Sequence, residues 1–184
     1  LASSLIVDEN ALYPINGVGL FGSTASDSMV NLMDNLGFYT GCNEYLYKGA
    51  TPVTNLLLNV KYLYYHQEDT LNTDFEYVKR EGAFNIYKNP AREMSMGYLM
   101  NLSVEDWDSG SAYPFRVQNS LGKQAFGVSE LFHNIEIADP ATNGCTASKT
   151  NDGEYYFEYG DSRPDNMTFT IPITETAENL YLFY

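Results

Sequence analysis

The chain has 184 residues, enough for one ordinary domain or a domain with a smaller module beside it. Apolar residues make up 44% and aromatics 15%, which supplies a packed core and excludes a disordered chain. A formal charge of −14, from 24 acidic and 10 basic residues, repels phosphate backbones and anionic lipid, so nucleic acid is excluded as a partner.

In chain order, residues 11–23 carry three glycines and a proline around Val18, Leu20 and Phe21, the pattern of a short strand between turns. Ser26-Asp27-Ser28 offers a helix cap, and Met29, Val30, Met33 and Leu36 recur at helical spacing until Gly37. Residues 38–47 are aromatic and irregular. In Gly49–Tyr65, Thr51-Pro52 keeps the chain extended before a helix capped by Thr54. That helix carries Leu56, Leu57 and Leu58 and is expected to be buried. Asn59 ends it, and Val60–Tyr65 reads as an aromatic strand.

Residues 66–72 form a polar connection. Phe75–Arg80 and Ala83–Lys88 read as strands joined by a Glu81-Gly82 turn, and Asn89-Pro90 breaks the second. Ser95–Asn101 is a further strand candidate, with a bulge or close approach at Gly97. Ser103 caps a short helix with acidic residues in its first turn, and Pro114–Gly127 is a longer helix weakened by Gly122. Beyond residue 130 only strand-like pieces remain: Ile135–Ala138, Glu154–Tyr159, Met167–Ile173 and Leu180–Tyr184, separated by turns. The fold expected is α+β: a mixed β-sheet with short helices over 1–130, then an antiparallel β-sandwich-like part over 131–184.

No apolar run approaches the roughly 20 residues of a membrane helix. The abrupt ends, Leu1-Ala2-Ser3-Ser4 without a leader pattern and Leu180–Tyr184 reading as a strand, fit a piece of a longer protein, truncated within the strand-rich part. Cys42 and Cys145 could close one bridge, but their spacing does not decide it.

Reactive patterns are weak. Asp106-Trp107-Asp108 has the two-carboxylate spacing with which many sugar-nucleotide glycosyltransferases hold a divalent cation. Its place at a short helix explains the acids equally, and no metal ligand or cofactor is assigned. His66 and His133 lie in no motif, and Gly17-x-Gly19-x-x-Gly22 lacks the strand and helix of a dinucleotide fingerprint. Sixteen tyrosines suit both half-buried strands and the walls of sugar grooves. Trp107 and Tyr113 are the candidate residues for stacking a sugar ring, against the simpler reading that they anchor helices to the core. No catalytic residue is assigned.

Four segments taken in order, FGSTASDSMVNLMDNLGFYT, TPVTNLLLNVKYLYY, FNIYKNPAREMSMGYLMN and PFRVQNSLGKQAFG, resemble the large extracytoplasmic region of YfhO-type bacterial membrane proteins. The matching features are Leu57–Leu63, then Asn89, Gly97 and Tyr98, then Pro114, Phe115, Gln118 and Asn119. The resemblance spans 11–132; where the family places Leu-Pro this chain has Ser95-Met96. It implies a polytopic parent among the multi-spanning glycosyltransferases that use lipid-linked sugars, some of which act on lipoteichoic acid or other wall polymers. In such proteins the catalytic carboxylates lie in another loop. By that implication this region is a non-catalytic accessory domain outside the membrane, whose partners are the membrane part of its own chain and a cell-wall or lipid-linked glycan. The alternative is a purely structural or protein-interaction domain.

Overall fold

A computed structural model describes residues 2–3, 16–66, 74–91, 99–111, 113–135, 138–150, 155–159, 167–172 and 179–183. They fall into two units, Leu1–Phe132 with Phe183–Tyr184, and His133–Leu182. The first contains β1 (Ala2–Ser3), β2 (Leu20–Phe21), α1 (Asp27–Asn35), β3 (Thr40–Gly41), β4 (Glu44–Tyr45), α2 (Pro52–Leu57), β5 (Tyr62–His66), β6 (Glu76–Glu81), β7 (Phe84–Lys88), a 3-10 helix (Leu102–Asp106) and α3 (Pro114–Phe126). Its strands form a four-stranded sheet in the order β1-β5-β7-β6 and a three-stranded sheet in the order β2-β4-β3. The larger sheet is mixed, because β1 runs parallel to β5 while the other pairs are antiparallel. The second unit holds β8 (Ala141–Thr142), β9 (Cys145–Lys149), β10 (Tyr155–Tyr159) and β11 (Met167–Thr168), paired as two antiparallel ladders, β9 with β10 and β8 with β11. Among the described residues the fold is an α+β mix without a closed barrel, in the class that the sequence predicts.

Local chemistry explains the elements and corrects several expectations. α1 begins after an extended Ser26, and Gly37 follows its end at φ +90°, where a side chain would be strained. α2 is capped by Thr51, not Thr54. Pro52 is its first residue, and the Thr51 and Thr54 side chains each accept the other's backbone N–H in a capping box. The proline thus starts the helix. The residues α2 buries are Thr54 and Asn55; Leu56 is 42% exposed, and Leu57 and Leu58 are only half-buried. The polar face points inward because the neighbouring elements offer it partners. Asn59 ends the turn at φ 54°, as expected, and Val60 is buried.

The β6–β7 turn is Gly82-Ala83, one residue later than predicted, since Glu81 pairs with Phe84 and Gly82 supplies φ +58°. Asn101, rather than Ser103, precedes the 3-10 helix, and the Ser103 hydroxyl instead donates to the Gln124 carbonyl. Gly122 is no weakness in α3: a Cβ there would lie 2.5 Å from a Leu131 methyl, so the glycine admits the returning chain. Residues 99–101 are not strand, and the rest of the Ser95–Asn101 candidate lies outside the described residues, as does the 67–72 connection. In the second unit β9 is an addition, because Cys145–Lys149 lacks the bulky residues that mark strands. Residues 135, 138 and 180–183 are not in strands, and β11 stops at Thr168.

The core of the first unit gathers Met33, Leu36, Phe38, Tyr47, Val60, Leu63, Phe75 and Val117, with Trp107 packed at its edge. Burying a side chain of this kind stabilises by about 1.5–3 kcal/mol.

Candidate functional site

The polar interior of the first unit is the most constrained part of the molecule. The Gln118 side chain on α3 is fully buried; its Oε1 accepts from the Thr51 hydroxyl at 2.5 Å and its Nε2 donates to the Leu36 carbonyl at 3.0 Å. One amide thereby ties the ends of α1 and α2 to α3. Tyr47 donates its hydroxyl to Asn55 Oδ1 at 2.5 Å. Burial pushes the Tyr47 hydroxyl well above its usual pKa, Tyr65 adds to the shift, and the Asn55 bond opposes it. Asn89 is buried and donates to the Val60 carbonyl. Asn119 holds the returning chain, accepting from the Leu131 and Phe132 N–H groups and donating to the Phe132 carbonyl. Each of these groups is satisfied inside the fold, so the network builds the scaffold and presents nothing to a substrate.

Trp107 is half-buried, and its indole Nε1–H donates to the Val117 carbonyl at 2.9 Å. Tyr113 is also half-buried and precedes α3, with the Arg116 guanidinium 4.4 Å from its ring centroid. Asp106 and Asp108 are exposed; Asp108 Oδ1 accepts from the Gly110 N–H at 3.2 Å, closing the loop. Among the described residues no three His, Cys, Asp or Glu side chains converge as metal ligands would. Cys42 is exposed on the β3–β4 turn, and Cys145 begins β9; both are free. His66 packs edge-on against Phe84. Gly17, Gly19 and Gly22 lead into β2 and a turn, not directly into a helix.

The second unit has a feature that sequence reading missed. Asp139, Pro140, Thr142, Ala147, Lys149 and Tyr155 line an open cleft of about 320 Å³. Ladder register sets Lys149 directly opposite Tyr155. The Tyr155 hydroxyl donates to Asp139 Oδ1 at 2.9 Å, and the Lys149 ammonium lies 5.5 Å from the Tyr155 ring centroid. Partial loss of hydration raises the Tyr155 pKa, the Asp139 carboxylate adds to the rise, and Lys149 opposes it. The one signal in sequence was Asp139-Pro140, visible only as a turn; the pairing of Lys149 with Tyr155 required β9, which small residues conceal.

The family described as Bacterial membrane protein YfhO matches residues 9–184. The chain belongs to the YfhO family. The match runs beyond the 11–132 resemblance and takes in the strand-rich second unit, so both units are YfhO sequence. No curated protein and no solved structure matches the chain. Among the described residues no helix is long and apolar enough to cross a membrane.

Proposed function

We propose that this chain is the extracytoplasmic accessory domain of a membrane glycosyltransferase acting on cell-wall polymers such as lipoteichoic acid, and that it contacts the acceptor glycan while the chemistry resides elsewhere in the protein. The observation that carries this reading is the family match over 9–184. Half-buried Trp107 and Tyr113 provide one stacking surface, with Arg116 beside Tyr113. Titration calorimetry of the chain against lipoteichoic acid fragments tests the contact: saturable heat is expected, and its absence with every wall glycan removes the glycan half of the reading. The side of the membrane has its own test in exposed Cys42. A membrane-impermeant maleimide added to intact cells is expected to label it; labelling only after lysis places the domain on the other side.

A second reading, a non-catalytic structural domain, has one specific observation in its favour. The Trp107 indole N–H is spent on the Val117 carbonyl, and its ring packs on the core. Indole fluorescence separates the two. Quenching or a shift on glycan addition supports contact at Trp107, whereas an unmoved spectrum together with no calorimetric heat supports the scaffold.

A further inference from the structure

The cleft in the second unit has the chemistry of a ligand site, and that chemistry narrows the ligand. At about 320 Å³ it sits at the small end of ligand pockets, which run about 300–1,000 Å³. Among the described residues that line it, the charged groups are one carboxylate, Asp139, and one ammonium, Lys149, both exposed and both beside Tyr155. A phosphate drawn to Lys149 would meet the Asp139 carboxylate, and a cation drawn to Asp139 would meet Lys149. A metal ion would find one carboxylate where three or more oxygens are needed. An apolar ligand would strip water from both charges and from the Thr142 hydroxyl without replacing those bonds.

What the lining does satisfy is a neutral ring bearing several hydroxyls. Such a ligand donates to Asp139, accepts from Lys149 and Thr142, and lays its C–H face on Pro140 and Tyr155. Phe157 stands behind Tyr155 on the same strand, ring centroids 6.4 Å apart and interplanar angle 23°. Phe169 meets Phe157 edge-on at 5.6 Å. The Tyr155 ring is therefore the outer member of a braced aromatic row, and it keeps its place when a ligand arrives. The geometry points to this cleft as the place where one sugar ring is held, with Asp139, Thr142, Lys149 and Tyr155 as the contacting residues. The inference rests on the glycan-contact reading above and moves the contact from the Trp107–Tyr113 surface to the second unit.

Nuclear magnetic resonance titration of the 184-residue chain with maltose, galactose and chitobiose tests it, with inorganic phosphate as the anionic probe. Saturable amide shifts are expected at Thr142, Lys149 and Tyr155 with at least one sugar, and none with phosphate. Asp139→Asn and Lys149→Gln each remove a charged hydrogen-bonding group and are expected to weaken binding about tenfold or more. Both positions are exposed, so circular dichroism should be unchanged. Lys79→Ala, at an exposed position of the first unit away from both surfaces, should leave the affinity as it is. Sugar shifts confined to the surroundings of Trp107 and Tyr113 would overturn the cleft assignment while leaving the glycan reading standing. Equal response to phosphate would make the cleft an anion site. No response to any of the three sugars would overturn the cleft assignment, and the calorimetry with wall glycans decides the glycan reading separately.

Discussion

The two units keep their polar groups in opposite places. Every buried hydrophobic side chain among the described residues, from Met33 to Ala125, belongs to the first unit, as do the buried polar side chains Thr51, Thr54, Asn55, Asn89 and Gln118. The described strands of the second unit are held by two short ladders and by aromatic contacts around Phe157. A two-stranded ladder by itself is marginal in water, so these strands depend on such side-chain contacts. The difference separates holding from displaying. Polar groups satisfied by one another inside the first unit are fixed and closed to ligands. Those around Tyr155 face water and can exchange it for a partner.

The largest expected effect comes from the first unit's closest backbone approach. Gly49 has φ +95°, and a Cβ there would sit 2.2 Å from the Gly37 carbonyl oxygen. Gly49→Ala combines left-handed strain with a backbone clash, and a loss of about 3 kcal/mol or more is expected. Urea denaturation measures it; a loss below about 1 kcal/mol would show that the two loops move apart easily and that the first unit is not the rigid one. Gln118→Leu comes next. It removes the acceptor of the Thr51 hydroxyl proton and leaves the Leu36 carbonyl without its donor in a closed interior, at about 1–3 kcal/mol in all. An unchanged midpoint would mean that water enters the network, and the contrast between the units would dissolve.

Much of this was legible from sequence, and what was not has a common cause. α1 and α3 follow from periodicity and end signals such as Pro114 and Gly127, and β7 from Phe84–Lys88. Leucines misled at α2, where propensity puts Leu56 inside and the fold buries Asn55, because Tyr47, outside the helix, supplies its partner. Four of the described residues that carry the YfhO resemblance are of this kind. Asn59 turns the chain at positive φ, Asn89 bonds the Val60 carbonyl, and Gln118 and Asn119 hold backbone from two other segments. They stand where the architecture is fixed, which is why they identify the chain and reveal no reaction. The cleft was illegible because Lys149 meets Tyr155 only once β9 has paired with β10, and Asp139 reaches Tyr155 from 16 residues away in the chain. No local pattern records that pairing.

One tyrosine in each unit donates its hydroxyl to an oxygen acceptor, and the pair tests the comparison most finely. Tyr47→Phe leaves Asn55 Oδ1 without its partner in the interior and is expected to lower stability by about 1–2 kcal/mol. The effect depends on pH. Tyr47's folded pKa lies above its ordinary 10.0, so the unfolded chain releases that proton first. The stability held by the buried hydroxyl is complete below pH 10.0 and is lost as pH rises above it. The deficit of Tyr47→Phe should therefore shrink above that pH in paired urea titrations. A constant deficit would mean that the hydroxyl is not closed off from water.

Tyr155→Phe removes the same group from the open cleft, where water replaces the bond to Asp139. Its effect on unfolding should be the smallest of the series, below that of Tyr47→Phe measured under the same conditions. Should the two tyrosines weigh equally, the bond to Asp139 would be structural, and the second unit would be fastened from within like the first. Should only Tyr47 register, the Tyr155 hydroxyl is held in place without being needed for folding. That is the state in which a binding group can be exchanged between Asp139 and a ligand at little expense to the fold.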